Sequence, residues 1–163
     1  MSQVHLHLLI THLPVFGSIL GAFVLMYGMW AKSNPTKNAA YFIFIISAIG
    51  AAIAYLTGEG AEEAVENLPG VSENMIELHE DAAMYALISL IALGIMSVIA
   101  LLVNRFKNSL IQSTSIIVLI ISLVSFGLVA RTGYLGGQIR HTEIATGVIQ
   151  NNDGGEEGEK DDD

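Results

Sequence analysis

Four long apolar stretches, at residues 8–30, 39–57, 82–103 and 110–130, leave this chain few ways to fold. Each has about the 20 residues needed to cross the hydrocarbon core of a bilayer. Inside that core every backbone N–H and C=O must find a partner within the chain, so each stretch reads as a membrane-spanning helix. Short polar connections, AKSNPTKN and NRFKNS, join the first stretch to the second and the third to the fourth. The fold class that follows is all-α, a four-transmembrane-helix bundle. Composition agrees, with 14% charged residues and a mean hydropathy of +0.56, where a soluble domain carries about a quarter charged residues. The first stretch does not read as a cleavable leader, because a basic n-region and a small-residue cleavage site before Lys32 are both missing. The expected membrane domain spans residues 1–149. Residues 150–163 read as an acidic disordered tail, poor in apolar residues and rich in like charge.

Charge fixes an expected topology. Lys32 and Lys37 lie in the first connection, and Arg105 and Lys107 in the third. Between residues 58 and 81 stand eight acids and no Lys or Arg, and the other eight acids follow the fourth stretch. Short loops rich in Lys and Arg stay in the cytoplasm. Both termini and the 58–81 loop are therefore expected on the periplasmic side of a bacterial inner membrane. The net charge of −9 and the scarcity of basic residues argue against nucleic acid as a partner. Cysteine is absent, which excludes disulfides, thiolate metal sites and covalent c-type haem attachment. In the 58–81 loop, Ala61, Ala64, Val65 and Leu68 give a short amphipathic face ended by Pro69-Gly70, and Ser72 or Asn74 can cap the helix that follows.

The two halves align weakly as a tandem two-helix repeat. Placing Thr57 on Thr132 puts Glu66 on His141, and the heads of the first and third spans pair His12 with His79. Such a repeat would have a pseudo-twofold along the membrane normal. Gly17 with Gly21, and Gly50 with Ala54, form small-xxx-small pairs that pack helix on helix. Gly17 could also leave room for a flat cofactor.

With that topology all five histidines gather at one end of the bundle: His5, His7 and His12 entering the first span, His79 the third, and His141 following the fourth. Ionisable side chains inside a membrane protein mark a metal, a cofactor or a proton path. A zinc site needs three or four converging ligands, and a ferritin-like di-iron site needs Glu-x-x-His, which does not occur here. A b-type haem needs two imidazoles from facing helices with small residues beside the ring. His12 and His79 are the expected axial pair, with His7 the fallback partner for His79 because a straight-helix reading sets His12 and His79 about 9 Å apart in depth. His5 shares the His12 face, while His7 lies about 140° away. Arg131 and Arg140 can meet the anionic propionates or neutralise the loop acids.

The sequence resembles a family of four-helix bacterial membrane proteins with an uncharacterised domain. Its members open on a His-Pro-rich run ending in VHFP, carry a histidine at the head of the third helix, and close on GWLGGxLVYxHG. Here LLITHLPVFG matches the first motif with His12 and Pro14, and His7 falls on the preceding family histidine. His79 in ELHEDAAMYAL matches the second, and TGYLGGQIRH matches the third with Gly133, Gly136, Gly137 and His141. Tyr134 replaces the usual Trp, no Pro follows His7, and QIRHT replaces LVYxHG. The resemblance covers about residues 4–141. Fusion of some members to cytochrome c domains implies a redox setting and a cytochrome b-like protein.

The leading expectation is an electron-transfer subunit, rather than a stand-alone enzyme, holding haem b near the periplasmic face. One haem is expected; His7 with His141 would make a second pair. Its partners would be the lipid bilayer and a periplasmic cytochrome, a membrane redox complex or a quinone. The alternatives are a histidine-based metal-handling membrane protein without haem, and a structural membrane subunit. No Asp, Glu, Lys, Arg or His lies within residues 13–30, 39–57, 82–103 or 110–130, so a charged transport relay across the bilayer is missing.

Overall fold

The structure, a computed structural model, describes residues 2–66, 68, 71–106 and 108–140. His141 and the tail at 150–163 lie outside the described residues, as do Pro69, Gly70 and Lys107. The described residues form α1 (Gln3–Ile10), α2 (His12–Trp30), α3 (Asn34–Leu56), α4 (Gly58–Glu62), α5 (Glu73–Phe106) and α6 (Ile111–Arg140), with no strand among them. Four units are long and apolar enough to cross a membrane: α1 with α2, then α3, α5 and α6. With 34 residues, α5 is about 51 Å long at 1.5 Å per residue. It exceeds an apolar core of about 30 Å, so its acid-bearing first turns extend past the apolar stretch.

Local chemistry sets the helix ends. Ser2 caps α1, accepting from the His5 amide. Thr11 alone separates α1 from α2 and keeps helical angles (φ −60, ψ −22). Pro14 accounts for the break, since it offers no N–H to the Ile10 carbonyl and its ring crowds that group. At the far end of α2, Ser33 N–H bonds the Gly28 carbonyl at 2.9 Å and Lys32 N–H bonds Met29 at 3.3 Å. This is a Schellman closure, with Lys32 at φ 50 in the position glycine usually takes. Ser33 then caps α3, and Pro35 sits in its first turn.

The spans form a ring: α2 packs on α3 and α6, and α5 packs on α3 and α6. Thus α2 and α5 occupy opposite corners. Large apolar side chains such as Phe16, Phe23, Ile46, Ile88 and Ile120 point outward, as a lipid solvent permits. The interior holds Leu25, Tyr41, Phe44, Leu90, Leu93 and Val118 with a set of serines. Ser18, Ser47, Ser97 and Ser115 satisfy themselves by donating to the carbonyl four residues back. Tyr41 on α3 bonds Ser115 on α6 across the core at 2.8 Å, and Asn104 Nδ2 donates to Asn38 Oδ1 at 2.7 Å. Glycine lets α2 and α3 approach closely: a Cβ at Gly17 would strike Ser47, and one at Gly21 would strike Phe44.

Burial resolves the register of the repeat. The buried positions of α2, Pro14, Ser18, Gly21, Ala22, Leu25 and Gly28, all fall on buried positions of α5 when shifted by 72 (14 onto 86, 28 onto 100). For the second helices the shift is 78: Lys37, Ala40, Phe44, Ser47 and Ala51 fall on buried Ser115, Val118, Ser122, Ser125 and Val129. The repeat partner of His79 is therefore His7 (7 + 72), and His12 corresponds to Met84. Thr132 corresponds to Ala54 (54 + 78) rather than to Thr57, and Glu66 has no register with His141. A single alignment cannot register both helices, because six more residues separate equivalent positions in the second half, chiefly a further turn at the end of α5.

Candidate functional site

The site is built where the heads of α1 and α5 meet the ends of α3 and α6. His7 is half-buried, and its Nδ1 lies 2.9 Å from the Ala54 carbonyl at the end of α3, with Thr57 Oγ1 at 3.4 Å. His79 is half-buried, and its Nδ1 lies 3.0 Å from the Thr132 carbonyl near the end of α6. A carbonyl oxygen only accepts, so Nδ1 carries the hydrogen in both rings. Each Nε2 is left with a lone pair. This is the arrangement in which a second-group contact fixes tautomer and orientation for a metal-ligating imidazole.

The two cradles are duplicates. Four residues beyond each carbonyl stands a glycine under the ring: a Cβ at Gly58 would lie 3.8 Å from His7 Cε1, and one at Gly136 would lie 3.0 Å from His79 Cε1 and 3.1 Å from its Nδ1. Gly136 is thus required for the His79 ring to sit where it does. Among the described residues the histidines lie at one end of the bundle, His7 on the end of α3 and His79 on α6.

The remaining expected site residues fall elsewhere. His12 is exposed; its Nδ1 bonds the Leu8 carbonyl of its own helix at 2.8 Å, and its ring stacks on Phe16 with centroids 6.1 Å apart. His5 is exposed beside its capping residue, Nδ1 to Ser2 Oγ 2.7 Å. Gly17 meets Ser47 rather than an imidazole. Gly137 and Arg131 are exposed, and a Cβ at Gly137 would meet nothing within 4 Å. Arg140 closes α6, at the position that corresponds to Glu62 in the repeat (62 + 78).

Two acids flank the pair. The Glu62 and Glu80 carboxyls share a hydrogen bond, which is the main reason that Glu62 is held above the usual carboxylate range, with burial and the Glu80 charge adding to it and His79 opposing it. An open hollow of about 210 Å³ beside them is lined by Glu62, Glu66, Glu73, Ile76 and Glu77. Sequence reasoning missed both carbonyls, Gly58 and the Glu62–Glu80 contact. A readable trace existed for the cradles, namely a glycine four residues after the carbonyl at the end of each second span. The carboxyl contact left none, since Glu62 and Glu80 lie on different elements.

A family model described as "Predicted membrane protein (DUF2231)" matches residues 3–146, nearly the whole chain. Neither the curated proteins nor the solved structures include a match to the chain.

Proposed function

The chain belongs to this family of predicted membrane proteins, and from that premise we propose that it binds b-type haem between His7 and His79 and transfers electrons at the periplasmic face of the bacterial inner membrane. One observation carries the reading: two imidazoles at the same end of the bundle, at equivalent positions of the two repeats, are both held with Nδ1–H on a backbone carbonyl, which leaves each Nε2 with its lone pair. Among the described residues no three His, Asp or Glu side chains converge as a metal cluster. Two imidazoles suit an iron whose other four ligands come from a porphyrin, whereas zinc sites ask the protein for three or four. The donor set therefore fits haem better than a bare cation.

In this reading His7 and His79 would hold the haem iron, and the carbonyls of Ala54 and Thr132 would orient the imidazoles and raise their basicity. Bound haem would supply a one-electron couple. Gly136 leaves room for the His79 ring, Gly137 adds an unobstructed backbone face, and Arg131 is an exposed cationic group on α6. The acid-only 58–81 loop against Lys32, Lys37 and Arg105 supports an outer placement of the histidine end. A periplasmic cytochrome, a membrane redox complex or a quinone would then exchange electrons there. A second haem would need His141, so one haem is proposed.

A reduced-minus-oxidised spectrum of the purified protein tests this directly. Sharp low-spin bands that vanish in His7→Ala and in His79→Ala are expected. Stoichiometric copper or zinc without haem would move the assignment to metal handling. A reporter fused after Asp163 that is active only in the cytoplasm would overturn the orientation.

A further inference from the structure

The two repeats hold their imidazoles alike but deliver them differently. In the second repeat α5 runs unbroken from Glu73 to Phe106, and His79 reaches the Thr132 carbonyl at 3.0 Å with no kink. In the first repeat the helix breaks at Thr11, and Pro14 stands where the second repeat has Ala86 (14 + 72). His7 nevertheless reaches its own carbonyl at 2.9 Å. A straight helix thus suffices to place the histidine, and the break must serve something other than placement.

What the break does is uncouple α1 from its span. Pro14 withholds an N–H from Ile10, and Val15 N–H reaches the Thr11 carbonyl only at 3.4 Å. No residue of α1 is buried, whereas its counterpart in α5 buries Ile76 and Ala82. Among the attachments of α1 are the His7 contacts with Ala54 and Thr57, the Gln3 side chain lying against Gly60 of α4 and, toward α2, the bond from Thr11 N–H to the His7 carbonyl at 3.0 Å. Its pivot, by contrast, is seated on α3. Pro14 is buried, and a Cβ at Gly50 would come within 2.8 Å of Leu13 Cβ and 3.4 Å of Pro14 Cδ.

We propose that α1 is a hinged arm, that Pro14 is its hinge, and that His7 is the exchangeable imidazole of the pair while His79 is the fixed one. The last clause rests on the haem reading; the hinge does not. Swinging α1 away from α3 and α4 withdraws His7, opens the site for entry of its group, and leaves one coordination position for a small exogenous ligand.

Hydrogen–deuterium exchange on the full-length protein, without haem and in detergent micelles, tests the hinge. Amides 7–10 should exchange about tenfold or more faster than the equivalent amides 79–82, as expected for a segment with few buried contacts. Pro14→Ala, which installs the residue of the second repeat, should narrow that difference. Equal rates in the native protein, or a difference untouched by Pro14→Ala, would overturn the hinge; fraying from the chain end alone predicts the latter. Carbon monoxide binding to the reduced, haem-loaded protein tests the exchangeable ligand. It should be faster in the native protein than in Pro14→Ala, and equal rates would overturn the role of His7. Protein that takes up no haem overturns the ligand pair, while the exchange experiment still decides the hinge.

Discussion

The hairpin of α2 and α3 and the hairpin of α5 and α6 share all six buried positions of α2 and five of the nine of α3, yet they diverge at the histidine end. All six buried positions of α2 find a buried partner in α5, although the residue pairs are as unlike as Ser18 with Leu90 and Leu25 with Ser97. Close packing ties a position to its depth and face but tolerates different side chains there when the total volume is kept. At the histidine end the pattern reverses. The cradle chemistry is kept, carbonyl to Nδ1 and glycine under the ring, while the arm that brings His7 has acquired a break that α5 lacks. What is kept between the two hairpins at this end is the seat of each imidazole on a backbone carbonyl, and what differs is the helix that carries it.

The largest expected effect would break the comparison if it failed. His7→Ala and His79→Ala should each abolish the low-spin haem spectrum, since each leaves an iron with one protein ligand, whereas His5→Ala and His12→Ala should retain it. A spectrum that survives loss of His7 but not of His12 would return the pairing to His12 and His79. The glycines come next. Gly136→Val should cost about 1–3 kcal/mol by overpacking against the His79 ring and displace that imidazole. Gly58→Val should do less in both chemical denaturation and haem retention, because its nearest approach to His7 is 3.8 Å.

In the core, Tyr41 has Leu119 as its counterpart (41 + 78). Tyr41→Phe removes the bond to Ser115 and should cost about 0.6 kcal/mol, near the average for hydrogen bonds between membrane helices. Unfolding in mixed micelles would measure it, and a loss of several kcal/mol would mean that the pair anchors more than one contact.

The smallest effect concerns Glu62. Its folded-state value is raised, chiefly by the hydrogen bond that its protonated carboxyl makes to Glu80. The protonated contact therefore stabilises the fold below the ordinary carboxylate range, and that stabilisation is lost as pH rises through the raised value. Melting temperature followed from pH 4 to 8 should fall slightly across this window, and Glu62→Gln should flatten the fall. An unchanged slope in that variant would remove Glu62 as its source.

Much of the molecule was legible in the sequence. Apolar length alone specifies four spans, because a backbone in lipid has no solvent to bond and must close its hydrogen bonds within each helix. Gathering of the histidines at one end follows from their places at the heads and tails of those spans, and Gly17, Gly21 and Gly50 do mark close helix contacts. The seats of the His7 and His79 rings were not legible. They depend on the two shifts of the repeat and on carbonyls of Ala54 and Thr132 that carry no side-chain signature. Those are relations between residues 47 and 53 positions apart in the chain, and spacing along one helix cannot report them. Sequence determined which residues stand at this end of the bundle; packing of α1 and α5 against α3 and α6 decided which imidazoles rest on the carbonyl of a neighbouring helix.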